Sequence, residues 1–377
     1  MTPTSFLPKE KLLHGPGPSS VHQRVLQAMA RPTLGHLDPD FVNFMEEVKV
    51  LLKSVLHTEN KLTFPVSGPG SVGMESCLVN LVEPGDRIVV CVNGVFGKRM
   101  VEIVKRIGCH PLVLNAPWGE GIQPAKLRAC LESEKKNGGI KAVAFVHAET
   151  STGALSDAAA LAAVIREFNC LSIMDAVTSV GGCPMRIDEW GIDALYSGTQ
   201  KCLSCPPGLS PVSFNEKAIR KLHSRKTPVQ SWFMDLSLVE KYWGQEGSAA
   251  RTYHHTAPIN QLYALHEALV LWHEEGEQAV WKRHQETAAE LKNGLRDLGF
   301  EYFVADEWQM PQLHVVMPPA NILQKEAQVR QSLLQNDLIE VGGGLGELAG
   351  KVWRIGLMGH SARKENVTKI LDALKKY

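Results

Sequence analysis

At 377 residues the chain is too long for one ordinary core and predicts two domains, at most three. Hydrophobic residues at 44% and charged residues at 21% match soluble globular proteins and exclude disordered, collagen-like and membrane-spanning classes. Basic and acidic side chains balance at a formal net charge of zero, so no global field draws the chain to nucleic acid or to an anionic membrane.

In chain order, the first twenty residues have no apolar signal core, no Arg-rich amphipathic pattern and no cleavage signature. No later stretch approaches the roughly eighteen apolar residues of a membrane span. From Thr63 to Phe214, short β-branched runs alternate with longer amphipathic ones, punctuated by Gly, Pro or Asn. Strands are predicted over 63–66, 87–92, 110–115, 141–147, 171–175, 194–197 and 211–214, and helices over 72–81, 97–107, 124–134 and 155–168. Runs such as Ala142-Val143-Ala144-Phe145-Val146 suit strands covered on both faces, as in a parallel sheet with helical crossovers. The class is therefore α/β. Between about 239 and 270 the pattern is irregular and aromatic-rich. A long helix-like stretch then passes Trp272 and His284 to Leu298, and the domain break is expected inside it. From Phe300 a smaller α+β segment follows, with strands over 313–317 and 352–355 and helices over 325–334 and 364–374. The eight cysteines, scattered and without a secretory signal, read as reduced thiols of a cytosolic protein. The segment ending at Tyr377 lacks the terminal Leu of a peroxisomal address, so none is expected.

The chemistry gathers at predicted strand ends, where open α/β sheets collect ligands. Asp175 ends the run Leu171-Ser172-Ile173-Met174, and Lys201 closes Tyr196-Ser197-Gly198-Thr199-Gln200-Lys201 one crossover later. Amino-group transfer needs such a pair: an amine to form a Schiff base with a cofactor aldehyde, and a carboxylate to keep a pyridine nitrogen protonated. A surface charge or a helix cap is the alternative for each. Ser67-Gly68-Pro69-Gly70-Ser71-Val72-Gly73 is a Gly-rich turn between a strand and a helix. It fits a dinucleotide fingerprint, but the next strand ends in Asn93-Gly94 instead of the acidic residue that holds a ribose. The turn can still cradle a single phosphate on the helix N-terminus. Phe96, on a turn after the second strand, suits stacking on a planar ring or packing beneath a loop.

At these residues the sequence resembles the alanine–glyoxylate and serine–pyruvate aminotransferases of the class V, fold-type-I pyridoxal-phosphate enzymes. The likeness runs from Gly15-Pro16-Gly17-Pro18 to Arg354-Ile355-Gly356-Leu357-Met358-Gly359. It is most specific at Glu149-Thr150-Ser151-Thr152-Gly153, Asp175-Ala176-Val177, Ser197-Gly198-Thr199-Gln200-Lys201, Ser224-Arg225-Lys226-Thr227 and Tyr253-His254-His255-Thr256. The resemblance implies an N-terminal arm (1–14), a large cofactor-binding domain with a mainly parallel seven-stranded sheet (15–275) and a small α+β domain (276–377). It implies pyridoxal 5'-phosphate as cofactor, with Lys201 as Schiff-base and proton-shuttle residue, Asp175 on the pyridine nitrogen, Val177 under the ring and Phe96 stacked where relatives carry Trp. Phosphate contacts are implied for Pro69, Gly70, Ser71 and Gln200, and for Tyr253 and Thr256 reaching over from the second subunit of a homodimer. Relatives have His at Ser71. Thr150 matches a Ser near the cofactor's phenolic oxygen, and Arg354 matches the arginine that grips the substrate carboxylate, for which a planar fork is apt.

The implied reaction is ping-pong between alanine or serine and glyoxylate or pyruvate. Other donors remain open on the same fold: 3-hydroxykynurenine, an aminophosphonate or pyridoxamine. A cysteine desulfurase is disfavoured because Gln200, not His, precedes Lys201, and intact Lys201, Asp175 and Arg354 argue against an inactive binding relative. Cys202-Leu203-Ser204-Cys205 is read as small packing groups and not as a metal site, since no second pair accompanies it. His254 and His255 are expected to point apart on an extended chain. Gly342-Gly343-Gly344-Leu345-Gly346 is read as a flexible loop near the substrate.

Overall fold

The computed structural model describes residues 4–244 and 251–377. Its core is a seven-stranded sheet in the order β2 (Leu62–Ser67), β10 (Leu209–Phe214), β9 (Ala194–Tyr196), β8 (Leu171–Asp175), β5 (Ala142–Val146), β3 (Arg87–Val92) and β4 (His110–Asn115). β10 runs antiparallel to both of its neighbours, and the other pairs are parallel. All five residues of β5 are buried, because helices cover both faces of a parallel sheet. Helices Gly70–Leu81, Val95–Arg106 and Ala158–Glu167 pack on the sheet.

Strand β5 is followed by a hairpin of two short strands, β6 (Ala148–Glu149) and β7 (Ala154–Leu155). The helix expected from residue 155 therefore starts only at Ala158, where the Asp157 side chain accepts from the Ala160 N–H and caps it. Helix Leu236–Trp243 runs into the region read as irregular, and the long helix begins at Ile259, eleven residues before the expected limit of 270. That long stretch is two helices, Ile259–Glu275 and Glu277–Asp297, broken at Gly276, whose φ of 84° ends the first.

A second sheet has the order β1 (Leu12–His14), β13 (Ile339–Gly343), β14 (Trp353–Gly356), β12 (Leu313–Met317) and β11 (Glu301–Tyr302). β1 pairs in parallel with β13, so the N-terminal segment is in part an edge strand of the C-terminal sheet. The chain then crosses back to the large sheet within a few residues, which matters for Lys201 below. Gly342 and Gly343, expected in a flexible loop, lie in β13 opposite Arg354 and Trp353. One apolar core gathers residues from Val25 to Trp281 and another those from Leu291 to Leu374, so ownership changes inside helix Glu277–Asp297. No helix among the described residues is long and apolar enough to cross a membrane.

Candidate active site

Six strands of the large sheet end at one edge, and the candidate residues follow five of those ends. Asp175 closes β8 beside Tyr196, its ladder partner at the end of β9. The Tyr196 hydroxyl donates to Asp175 Oδ2 at 2.8 Å and the Val177 N–H donates to Oδ1 at 2.9 Å. Burial pushes the Asp175 carboxyl up to about 6; the two hydrogen bonds and the Lys201 charge oppose this, while Glu149 adds to it. An acid so placed is poised to ionise fully once a cation meets its remaining lone pairs.

Lys201 lies on the loop after β9 and is 8% exposed. Its Nζ donates to the Pro16 carbonyl, and Ser19 Oγ donates to the Lys201 carbonyl at 2.8 Å. The segment leaving β1 thus lies directly over the amine. At Gly17, with φ of +104°, a Cβ would stand 2.5 Å from Lys201 Nζ, so only glycine leaves the amine its room. Burial draws the Lys201 amine down to about 8, helped by the Arg354 charge and opposed by Cys202, Asp175 and Glu149.

Around this pair, Pro69, Gly70, Ser71, Phe96, Thr150, Val177 and Gln200 line the same cleft as Asp175 and Lys201. Pro69 is the N-cap of helix Gly70–Leu81 and offers no side-chain cap, which leaves first-turn N–H groups facing the cleft. A Cβ at Gly70 would come within 3.1 Å of Val177 Cγ2, so the helix start and the Val177 side chain are in close packing. Gln200 Oε1 is buried with no hydrogen-bond partner among the described residues. The Arg99 guanidinium lies 4.9 Å from the Phe96 ring centroid and donates to Ser71 Oγ at 3.2 Å.

Arg354 comes from the other sheet. It sits in β14 and is 7% exposed. Its Nε donates to the Gly343 carbonyl at 2.7 Å and its Nη1 to the Thr150 carbonyl at 3.3 Å. Of the five guanidinium N–H bonds, three then have no partner among the described residues. Burial draws its pKa down to about 10, and the Glu149 charge resists this.

Tyr253 and Thr256 do not join this lining. Both are exposed, Tyr253 with its ring 5.0 Å from that of His36. His254 and His255, expected to point apart, have their Nδ1 atoms 2.8 Å from each other because the chain bends at His255 instead of running extended. His255 Nε2 also bonds Ser67 Oγ at 2.7 Å, and His254 stacks on Trp232. Cys202 is buried with its Sγ donating to the Thr178 carbonyl at 3.3 Å, and burial pushes the Cys202 and Cys205 thiols up. No cluster of three or more His, Cys, Asp or Glu that could hold a metal exists among the described residues.

The sequence reading assigned no role to Tyr196, Arg99, Met74, Val146, Ala148 or Thr178, all of which bond to or line the cleft. Two of these had a signal. Tyr196 ends the strand beside Asp175, and Arg99 stands three residues after Phe96 on one helix face.

Residues 12–348 match the family described as Aminotransferase class-V. The chain is 40% identical over 370 residues to the alanine–glyoxylate aminotransferase of Rattus norvegicus, covering 98% of this chain and 87% of that protein. It is 36% identical to the (S)-ureidoglycine–glyoxylate transaminase of Bacillus subtilis, covering 96% and 88%. The crystal structure of an alanine–glyoxylate aminotransferase from Nostoc sp. superposes with a TM-score of 0.95 at 45% identity, covering 100% of this chain and 97% of that one.

Proposed function

The chain belongs to the class V aminotransferases, fold-type-I enzymes that depend on pyridoxal 5'-phosphate, and from that premise we propose that it moves an amino group from alanine or serine to glyoxylate or pyruvate. The observation that carries this reading is the convergence on one cleft of a buried amine, Lys201, and a buried acid, Asp175, with a buried Arg354 bonded to the cleft wall at Thr150.

The cleft fits the cofactor. It has a doubly hydrogen-bonded acid at one side, the unsatisfied Gln200 oxygen and an uncapped helix start at another, and an amine between. When bound, pyridoxal 5'-phosphate supplies the aldehyde that receives the amino group and a ring that draws electrons from the substrate Cα. Lys201 attaches the group and, once displaced, carries a proton at Nζ to and from that carbon, a task suited to an amine brought near neutrality. Asp175 holds a negative charge toward the ring nitrogen, aligned by Val177 N–H and the Tyr196 hydroxyl. Val177 would pack beneath the ring and Phe96 would stack on it, while Thr150 would bond the phenolic oxygen. Pro69, Gly70, Ser71 and Gln200 take the phosphate on the helix start. Arg354 turns its free N–H groups to the substrate carboxylate.

The same reading makes the protein a cytoplasmic homodimer in which the exposed Tyr253 and Thr256 reach the partner's phosphate. It divides the chain into an arm (1–14), a large domain (15–275) and a small domain (276–377), residues 1–3 and 245–250 lying outside those described.

Purified protein is expected to be yellow, to bleach with alanine and to recover its colour with glyoxylate. Light scattering on the same preparation is expected to give a dimer. A protein that stays colourless with added cofactor would overturn the reading, and an active monomer would remove Tyr253 and Thr256 from the site. The Bacillus subtilis relative favours a second reading, with (S)-ureidoglycine as donor. Colour that bleaches with ureidoglycine and not with alanine would select it. Serine, 3-hydroxykynurenine, an aminophosphonate and pyridoxamine complete the panel.

A further inference from the structure

Glu149 has no part in the assignments above, yet its side chain is the most deeply buried charge beside the cleft, 0% exposed in β6. Four donors converge on it. Oε1 accepts from the Ser151 N–H at 3.0 Å and from Ser151 Oγ at 2.6 Å. Oε2 accepts from the Phe96 N–H at 3.1 Å and from the Gly97 N–H at 3.4 Å. Ser151 Oγ itself accepts from the Val95 N–H at 2.8 Å, so the hydroxyl proton must point to Glu149. A carboxyl group that receives four donors and faces no acceptor is ionised, because a proton on it would meet another proton. Burial pushes its pKa up and these bonds pull it down, and the donor geometry decides for the anion.

Val95, Phe96 and Gly97 are the first turn of helix Val95–Arg106, whose N-cap is Gly94 and has no side chain to cap with. Glu149 and Ser151, from the neighbouring hairpin, do the capping instead, and the anion sits at the positive end of the helix dipole. Gly94 makes this possible: a Cβ there would stand 2.4 Å from Glu149 Cδ. The position of Phe96 is thereby fixed from behind by a residue more than fifty positions away. The same charge acts on Asp175, Lys201 and Arg354.

We propose that Glu149 is a positioning residue of the transamination site, which caps the helix that carries Phe96 and so sets where the ring meets the cofactor, and whose buried charge balances the cations Lys201 and Arg354. The inference rests on the aminotransferase reading above.

The test uses the holoenzyme and reads the cofactor itself. The yellow absorbance of the lysine-bound cofactor titrates as the linking nitrogen loses its proton. The groups acting on that nitrogen are Asp175 from β8, Arg354 from β14, Glu149 from β6, and Cys202 next to Lys201. Removing an anion disfavours the cation, so Glu149→Gln is expected to move the titration to lower pH by about one unit, a tenfold change in proton affinity. It is also expected to weaken pyridoxal 5'-phosphate binding about tenfold, since a Gln amide turns N–H groups toward the helix N–H groups. Glu149→Asp keeps the charge but withdraws it by one methylene, so binding weakens while the titration stays near the parent's. A residue that only supported the fold would change affinity alone.

A Glu149→Gln protein that titrates as the parent does overturns the inference, whatever its affinity. Should that variant be insoluble, Ser151→Ala decides, with a several-fold loss of cofactor affinity expected and parent affinity overturning the proposal. A parent chain that takes up no pyridoxal 5'-phosphate would sink the aminotransferase reading and this inference together, whereas a parent that binds while its variants match it would sink this inference alone.

Discussion

Replacing Lys201 by Ala is expected to lower turnover by about 10⁴-fold, the upper end of what one positioned acid–base group contributes, because the same atom both anchors the cofactor and carries the proton. The fold should survive. Lys201 is buried, and its amine pKa lies near 8, below its ordinary value, so folding works against its charge at neutral pH. The sign follows from proton counting: between pH 8 and the usual lysine value the unfolded chain binds more protons than the folded one, so this group's contribution to stability rises with pH in that window. Below pH 8 the buried cation is a standing cost. Compared as cofactor-free proteins at pH 7, the Ala variant should therefore melt no lower than the parent, although the Pro16 carbonyl loses its donor. Cofactor uptake by the parent carries the same signature. Only the neutral amine attacks an aldehyde, so the rate of yellow colour formation should rise from pH 6 to about 8 and then level off. Borohydride reduction followed by peptide mapping should place the label on position 201. A variant with more than about a hundredth of parent turnover, or a label on another lysine, would end the assignment.

How much of this was legible beforehand depended on how local the signal was. Strands β3, β4 and β8 were read to the residue, because each is an apolar run bounded by Gly, Pro, Asn or Asp. Helix Pro39–Leu56 went unassigned although its signals are present: Asp38 caps it, Pro39 opens it, and Phe41, Met45, Val48, Leu52 and Val55 repeat at helical spacing on the buried face. The Gly276 break was missed because a single glycine inside an amphipathic pattern costs only about 1 kcal/mol and does not by itself announce a stop. Nine of the twelve proposed site residues line one cleft, and they are those that follow strand ends or open the helix after one. What stayed hidden was non-local. Glu149 stood inside a quoted motif, but its meaning depends on the N–H groups of residues 96 and 97. Gly17 acquires its role only when β1 joins the second sheet and carries the following turn over Lys201. Tyr253 and Thr256 belong, on the proposed reading, to another molecule's site, which one chain cannot display.

Arg354→Lys is the second large effect, an expected loss of about 100-fold in kcat/KM for alanine, mostly as a rise in KM. The substitution preserves the charge, so the loss measures geometry. Arg354 spends Nε on Gly343 and one Nη1 proton on Thr150, which orients the plane of the guanidinium and leaves paired N–H groups for a carboxylate. A lysine ammonium on the same strand has three donors and no fixed plane. To reach a substrate carboxylate it must abandon one or both carbonyls, leaving polar groups unsatisfied where the site is buried. The corresponding roughly 3 kcal/mol, for a charge-assisted bond and an orphaned acceptor, gives the factor of about 100. The effect should be confined to substrates that carry the carboxylate. An amine donor without one should react with the variant at nearly the parent rate, since Lys201 and Asp175 are untouched. Equal losses for both kinds of donor would mean that Arg354 acts by holding Thr150 and the cleft wall in place, and the carboxylate assignment would then fall.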